Sequence, residues 1–154
     1  MLKNMKNKIY ALALSLLMLM VACGKDDATE GGNLGRDIAK DWKLVSVNGV
    51  EPEFTVYLRF DSGIFNIFQQ LYTWDYLFYD GTYSVKGGVV SGSYFDGTSW
   101  KCSYKGLLSN NGKRLKLVSK EKNPITNIYE ECVIPQSVID EVSTRSGVEG
   151  VYHL

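Results

Sequence analysis

Turn signals recur along the chain from residue 48 onward, and their spacing leaves room for short strands and little else. They are Asn48-Gly49, Asp61-Ser62-Gly63, Asp80-Gly81, Gly87-Gly88, Asp96-Gly97 and Asn111-Gly112. Glycine accepts positive φ at little steric cost, and Asn or Asp before it suits the two-residue turn of a hairpin. The runs between the turns are rich in Val, Ile, Thr, Tyr, Phe and Trp, so they read as successive antiparallel hairpins.

Within those runs side chains alternate with period two. Trp100, Cys102 and Tyr104 share one face, and Lys101, Ser103 and Lys105 the other. Tyr83 and Val85 point in while Thr82, Ser84 and Lys86 point out, and Leu58 and Phe60 make the same pattern, as do Leu115 and Leu117 around Lys116. One wet face and one packed face define the sheet. The pattern predicts eight strands, near residues 41–48, 55–61, 64–71, 74–86, 89–95, 98–106, 114–119 and 127–134. Gly81-Thr82-Tyr83 and Gly92-Ser93-Tyr94 echo each other on adjacent strands.

The expected fold is therefore all-β, an antiparallel meander of about eight strands. Closure into a barrel removes its exposed edges. An eight-stranded barrel either fills with side chains or holds one small ligand. A two-sheet sandwich is the other arrangement the pattern allows. Residues 37–40 read as a short helical turn. Residues 135–142 read as a short C-terminal helix, with Pro135 in its first turn and Val138, Ile139 and Val142 as its apolar stripe. The tail through Leu154 reads as a last short strand or loose chain.

The beginning of the chain has a different character. Lys3, Lys6 and Lys8 make a basic start, and residues 9–21 are apolar except for Tyr10 and Ser15. That run is shorter than the roughly 20 residues a spanning helix needs, and it matches the ~7–15 of a signal-peptide core. It ends in Met20-Val21-Ala22-Cys23-Gly24, which resembles the lipobox of bacterial lipoproteins, with Met20 where the family favours Leu. The resemblance implies a signal peptide over 1–22 and acyl chains on Cys23, the lipid-anchor residue; two or more chains give stable membrane attachment. Lys25-Asp26-Asp27 resembles the surface-export tag of lipoproteins in some Gram-negative bacteria. Residues 23–36 then read as a flexible tether and 37–154 as one folded domain. The expected location is the outer membrane of a Gram-negative bacterium.

Composition narrows the chemistry. Without the first 22 residues the chain has 14 basic and 17 acidic side chains, so it lacks the basic footprint of a nucleic-acid binder. Cys102 and Cys132 form an even pair in an oxidising compartment, read either as a disulfide or as two buried thiols. His153 is the sole histidine and lies beside the C-terminus, so neither a catalytic triad nor a His-based metal site has its imidazole. Adjacent Glu130 and Glu131 point to opposite faces of a strand, and Asp61, Asp80 and Asp96 have turn roles. Asp75 is the one carboxylate left for hydrolysis. No cofactor motif is present.

Asp41-Trp42-Lys43-Leu44, Phe60-Asp61-Ser62-Gly63, Asp80-Gly81-Thr82-Tyr83 and Ile134-Pro135 together resemble a lipocalin-like domain of small bacterial lipoproteins, over about residues 37–142. The resemblance implies that Trp42 closes the barrel floor. The family places Gly two residues before this tryptophan and packs a late-strand arginine over it. Here Lys40 holds the first position, and 127–134 contains no arginine.

Aromatics are the remaining excess. Phe65, Tyr83, Tyr94, Trp100 and Tyr104 are expected to face inward, as barrel core or as pocket lining. Tyr72, Trp74, Tyr76, Phe78 and Tyr79 are too many for one strand face, and they suggest a lip at the open end. The ligand-binding candidates are Phe65, Trp74, Tyr76, Tyr83, Tyr94, Trp100 and Tyr104. The expectation is a membrane-anchored, non-catalytic protein holding a small apolar or amphipathic ligand. Its rivals are an envelope interaction module with a filled barrel and, through Asp75, a glycan hydrolase.

Overall fold

The computed structural model describes residues 34–143. A short helix α1 (Leu34–Asp37) leads into eight strands: β1 (Asp41–Val47), β2 (Thr55–Asp61), β3 (Ile64–Gln70), β4 (Leu77–Lys86), β5 (Val89–Tyr94), β6 (Tyr104–Ser109), β7 (Arg114–Ser119) and β8 (Thr126–Glu131). A second helix, α2 (Gln136–Ser143), follows. Each strand pairs antiparallel with the next, and β8 pairs with β1, so the sheet is a closed barrel rather than a sandwich. The antiparallel meander of eight strands expected from the sequence is the fold observed, and it closes.

The strand order gives the barrel two unlike ends. Three tight turns lie at one end: Ser62-Gly63, Gly87-Gly88 and residues 110–113. Ser62, Gly63, Gly87, Gly88, Asn110, Asn111 and Gly112 all have positive φ there, as their sequence signals predict. Four longer loops lie at the other end: 48–54, 71–76, 95–103 and 120–125.

At the narrow end α1 packs as a plug. Leu34 and Ile38 are buried, and Ile38 N–H donates to the Leu34 carbonyl at 2.9 Å. Trp42 is fully buried beside them, and its indole Nε1 donates to the Ile38 carbonyl at 2.9 Å. This is the floor-closing position implied for Trp42. Lys40 Nζ stands 5.8 Å from the Trp42 ring centroid, held by the Gly112 carbonyl at 2.9 Å and by Glu131 at 3.1 Å. A cation therefore does lie over the tryptophan, supplied from two residues upstream instead of from a late-strand arginine.

Several boundaries move. The helical turn expected at 37–40 sits at Leu34–Asp37, so residues 34–36, read as tether, belong to the folded part. Leu34 fits because Gly106 opposite it has no side chain: a Cβ there would come 2.5 Å from Leu34 Cδ2. Asp80-Gly81 is not a turn but the middle of β4. Trp74 lies in the loop before β4 rather than in the strand.

The strand expected over 98–106 is broken. Ser93 lies opposite Ser99, yet Val90 lies opposite Tyr104, so five steps on one chain match three on the other. The two extra residues form a bulge at 101–103. Because the excess is two residues rather than one, the parity of Trp100 and Tyr104 is kept, and both stay inward and buried.

The helix α2 lies outside the barrel. Val138 and Val142 pack with Ile134 over Phe68, an outward residue of β3, with Tyr57, Tyr76, Cys132 and Ile139 around them. Ile139 takes its expected place on the stripe.

Candidate functional site

The barrel interior is a packed core. Phe65 sits at its centre, with ring centroids 5.4 Å from Tyr94 and 5.0 Å from Trp100, and Trp100 is 6.1 Å from Tyr104. These edge-on contacts are the favourable geometry for aromatic pairs. Above and below them Leu58, Phe60, Ile67, Val90, Leu115 and Leu117 are all at most 2% exposed. Toward the loop end the interior turns polar, where Gln69, Tyr79, Tyr94 and Tyr104 are buried. Burial raises the phenols of Tyr79, Tyr104 and Tyr129 above their ordinary range, the last two by far the most.

The sequence-derived candidates therefore separate. Phe65, Tyr94, Trp100 and Tyr104 are brought together as one buried network. Tyr83 is half-buried and packs on Phe60 at 4.6 Å between centroids. Tyr76 lies outside the barrel, 6.2 Å from Tyr57, and its backbone N–H donates to Glu141 of α2 at 2.8 Å. Trp74 is 94% and Tyr72 97% exposed, in the 71–76 loop. These two do not share a site with the interior rings. Asp75 is exposed in the same loop. Cys23 and His153 lie outside the described residues.

Cys102 and Cys132 are free thiols. Cys102 packs against the barrel core and Cys132 against the α2 cluster, which places them in separate environments. Burial, with the Asp41 carboxylate adding to it, pushes the Cys132 thiol up to about 11. Among the described residues no three His, Cys, Asp or Glu side chains converge on a point that could hold a metal ion.

Two surface features emerge, one extending the lip suggested by Tyr72 and Trp74 and one that the sequence did not single out. The first is a rim. Val50, Tyr72, Trp74, Phe95 and Ile125 are each more than 40% exposed, and they occupy all four loops of the loop end. The three turns of the narrow end carry no exposed large apolar side chain, although Ile64, the first residue of β3, and Val133, on the connector to α2, are exposed. The second is a groove of about 430 Å³ on the outer side of β4 and β5, walled by Ser99, Trp100, Cys102 and Ser103. Ser91 and Ser93 of β5 stand beside Ser84 and Thr82 of β4 in register, and Ser99 joins them. In the sequence these hydroxyls are just the polar half of an alternating pattern. The register and the bulge turn them into one surface.

The chain matches no protein-family model, and no curated protein matches it. Among solved structures, a lipocalin-like protein from Bacteroides uniformis is 21% identical, with 62% of this chain and 99% of that one covered and a TM-score of 0.47. A protein described as the REP1-NXSQ fatty acid transporter is 12% identical, with 64% of this chain and 98% of that one covered and a TM-score of 0.40.

Proposed function

We propose that this chain is a lipid-anchored, non-catalytic binding protein of a bacterial cell envelope, with the barrel as a filled scaffold and the loop end as the surface that meets its target. One observation carries the binding surface: every loop of that end exposes an apolar side chain, whereas the tight turns opposite expose none. Anchoring rests on the lipobox resemblance around Cys23. The chain enters the barrel at the narrow end, through α1. A tether from Cys23 would reach that end first, leaving the loop end free to face away from the anchoring membrane. The rim loops hold Glu51, Glu53, Asp75, Asp96 and Glu121 against Lys101, Lys120 and Lys122. An acidic rim with aromatic tips suits a protein surface better than an anionic bilayer.

Cys23→Ala is expected to leave the protein unacylated and to move it from the membrane to the soluble envelope fraction. Continued membrane attachment and palmitate labelling of that variant would defeat the anchor assignment. For the rim, a photo-crosslinker at Thr73 in whole cells is expected to capture a discrete protein. Tyr72→Ser with Trp74→Ser should reduce that capture more than about tenfold, since a buried aromatic anchor is worth ~2 kcal/mol or more at an interface. Capture unaffected by the double substitution, or no capture, counts against the rim.

A second reading, a small apolar or amphipathic ligand inside the mouth, is favoured by the buried Gln69, Tyr79, Tyr94 and Tyr104 near the loop end. Native mass spectrometry of the full chain after incubation with an envelope extract separates the two. A discrete added mass lost on denaturation supports the mouth, and the bare mass of folded protein supports the filled scaffold.

A further inference from the structure

We propose that the groove outside β4 and β5 is a binding site for a neutral saccharide, distinct from the rim. Thr82, Ser84, Ser91, Ser93, Ser99 and Ser103 bring six hydroxyls to a space of about 430 Å³, and none of the lining residues carries a charge. That volume lies in the ordinary range of small-molecule sites, ~300–1,000 Å³. A side-chain hydroxyl both donates and accepts, as each sugar hydroxyl does. A surface without cations offers a phosphate or carboxylate no charge-assisted partner, and one without carboxylates offers none to an amine.

The hydroxyls are only loosely committed to each other. Ser84 Oγ and Ser91 Oγ are 3.3 Å apart, and Ser93 Oγ and Ser99 Oγ are 3.4 Å apart. Good O–H···O bonds lie near ~2.7–2.8 Å, so donors and lone pairs remain for a guest.

Independent support comes from Trp100, which also lines the groove. Trp100 is 6% exposed, and its indole Nε1 is buried with no hydrogen-bond partner among the described residues. The ring lies against the inner side of Gly92, another lining residue: a Cβ on Gly92, pointing into the barrel like Tyr83 opposite it, would meet Trp100 Cε2 at 2.6 Å and Cζ2 at 2.7 Å. A buried donor left unmet is costly, and an incoming hydroxyl oxygen would relieve it. Nε1 is closed to solvent in this conformation. A guest would reach it only where the 101–103 bulge, the stretch of wall outside regular pairing, moves aside.

The test is an NMR titration of the ¹⁵N-labelled full chain, held in a zwitterionic detergent free of sugar. The probes are glucose, galactose, N-acetylglucosamine and their linear disaccharides. At least one is expected to give saturable shifts in the amides of residues 82–84, 91–93 and 99–103 and in the Trp100 indole N–H, with the Trp42 and Trp74 indoles unmoved. Ser91→Val with Ser93→Val, one exposed and one half-buried strand position on the outer face, should weaken binding about tenfold. Lys116→Ala on β7 should leave it unchanged. The proposal is overturned if no sugar gives saturable shifts, if binding survives both valines, or if the shifts centre on residues 71–76. It is equally overturned if glucuronate binds the groove and the neutral sugars do not.

Discussion

Gly81→Ala is expected to cost this protein more than ~3 kcal/mol, at or beyond the upper end for overpacking a core, although it adds one methyl group. The reason is what surrounds the position. A Cβ on Gly81 would collide with the backbone carbonyl oxygen of Ser93, and it would lie 2.7 Å from Tyr94 Cα and 2.7 Å from Phe65 Cε1. Two of these are main-chain atoms of the paired strand, so relief requires β4 and β5 to move apart. The ring of Phe65 cannot yield either, because it is fully buried among Tyr94 and Trp100. A urea titration followed by far-UV circular dichroism reads the effect directly. With a typical slope of ~1–3 kcal/mol per molar, the midpoint should fall by at least ~1 M. Gly49→Ala is the control. Gly49 has φ of +83°, but a Cβ there meets nothing within 4 Å, so only backbone strain of ~1–2 kcal/mol is incurred. Equal losses in the two variants would show that the crowding around Gly81 is relieved at little cost.

The same glycine shows what could and could not be read from the sequence. The echo of Gly81-Thr82-Tyr83 and Gly92-Ser93-Tyr94 is visible in the chain, but its meaning is not. In the register of β4 on β5, Gly81 lies opposite Tyr94, Tyr83 lies opposite Gly92, and Thr82 meets Ser93. Gly81 makes room for the ring of Phe65, and Gly92 for the ring of Trp100. Asp80-Gly81 looks like a turn because the residue pair is a good turn former, and local chemistry cannot announce that a bulky residue waits across the sheet. The true turns are those where positive φ was required, and all of those carry the expected Gly, Asn or Ser.

Alternation gave the inward set correctly because parity is a property of neighbours along the chain. It survived even the 101–103 bulge, whose two extra residues leave the faces unchanged. The ends of strands were less legible. Trp74 has strand-forming chemistry, and its place in an exposed loop follows from where β4 begins pairing with β3, at Leu77 opposite Gln69. The groove was hidden for a related reason. Serines spaced along one chain become a surface only once three segments are laid side by side.

Trp42→Ala is the second large effect, expected at ~3–5 kcal/mol, as for other large-to-small core replacements. For a domain of this size that lowers the melting temperature by ~15 °C or more. Trp42 does two things at the narrow end: it fills the floor, and its Nε1 holds the Ile38 carbonyl at 2.9 Å. Trp42→Phe separates them. It keeps most of the ring volume and removes the donor, leaving the Ile38 carbonyl with the Lys40 N–H alone, at 2.8 Å, for ~0.5–1.5 kcal/mol. The consequence is local as well as global. Ile38 N–H bonds back to Leu34, so the indole hydrogen bond pins the far end of the same turn. Hydrogen exchange at Ile38 should therefore accelerate in Trp42→Phe, while the amides of Leu58 and Leu117 in the barrel stay protected. If Ile38 remains as slow as the strand amides, α1 is held by Leu34 in the space left by Gly106, and the indole serves only to fill the floor.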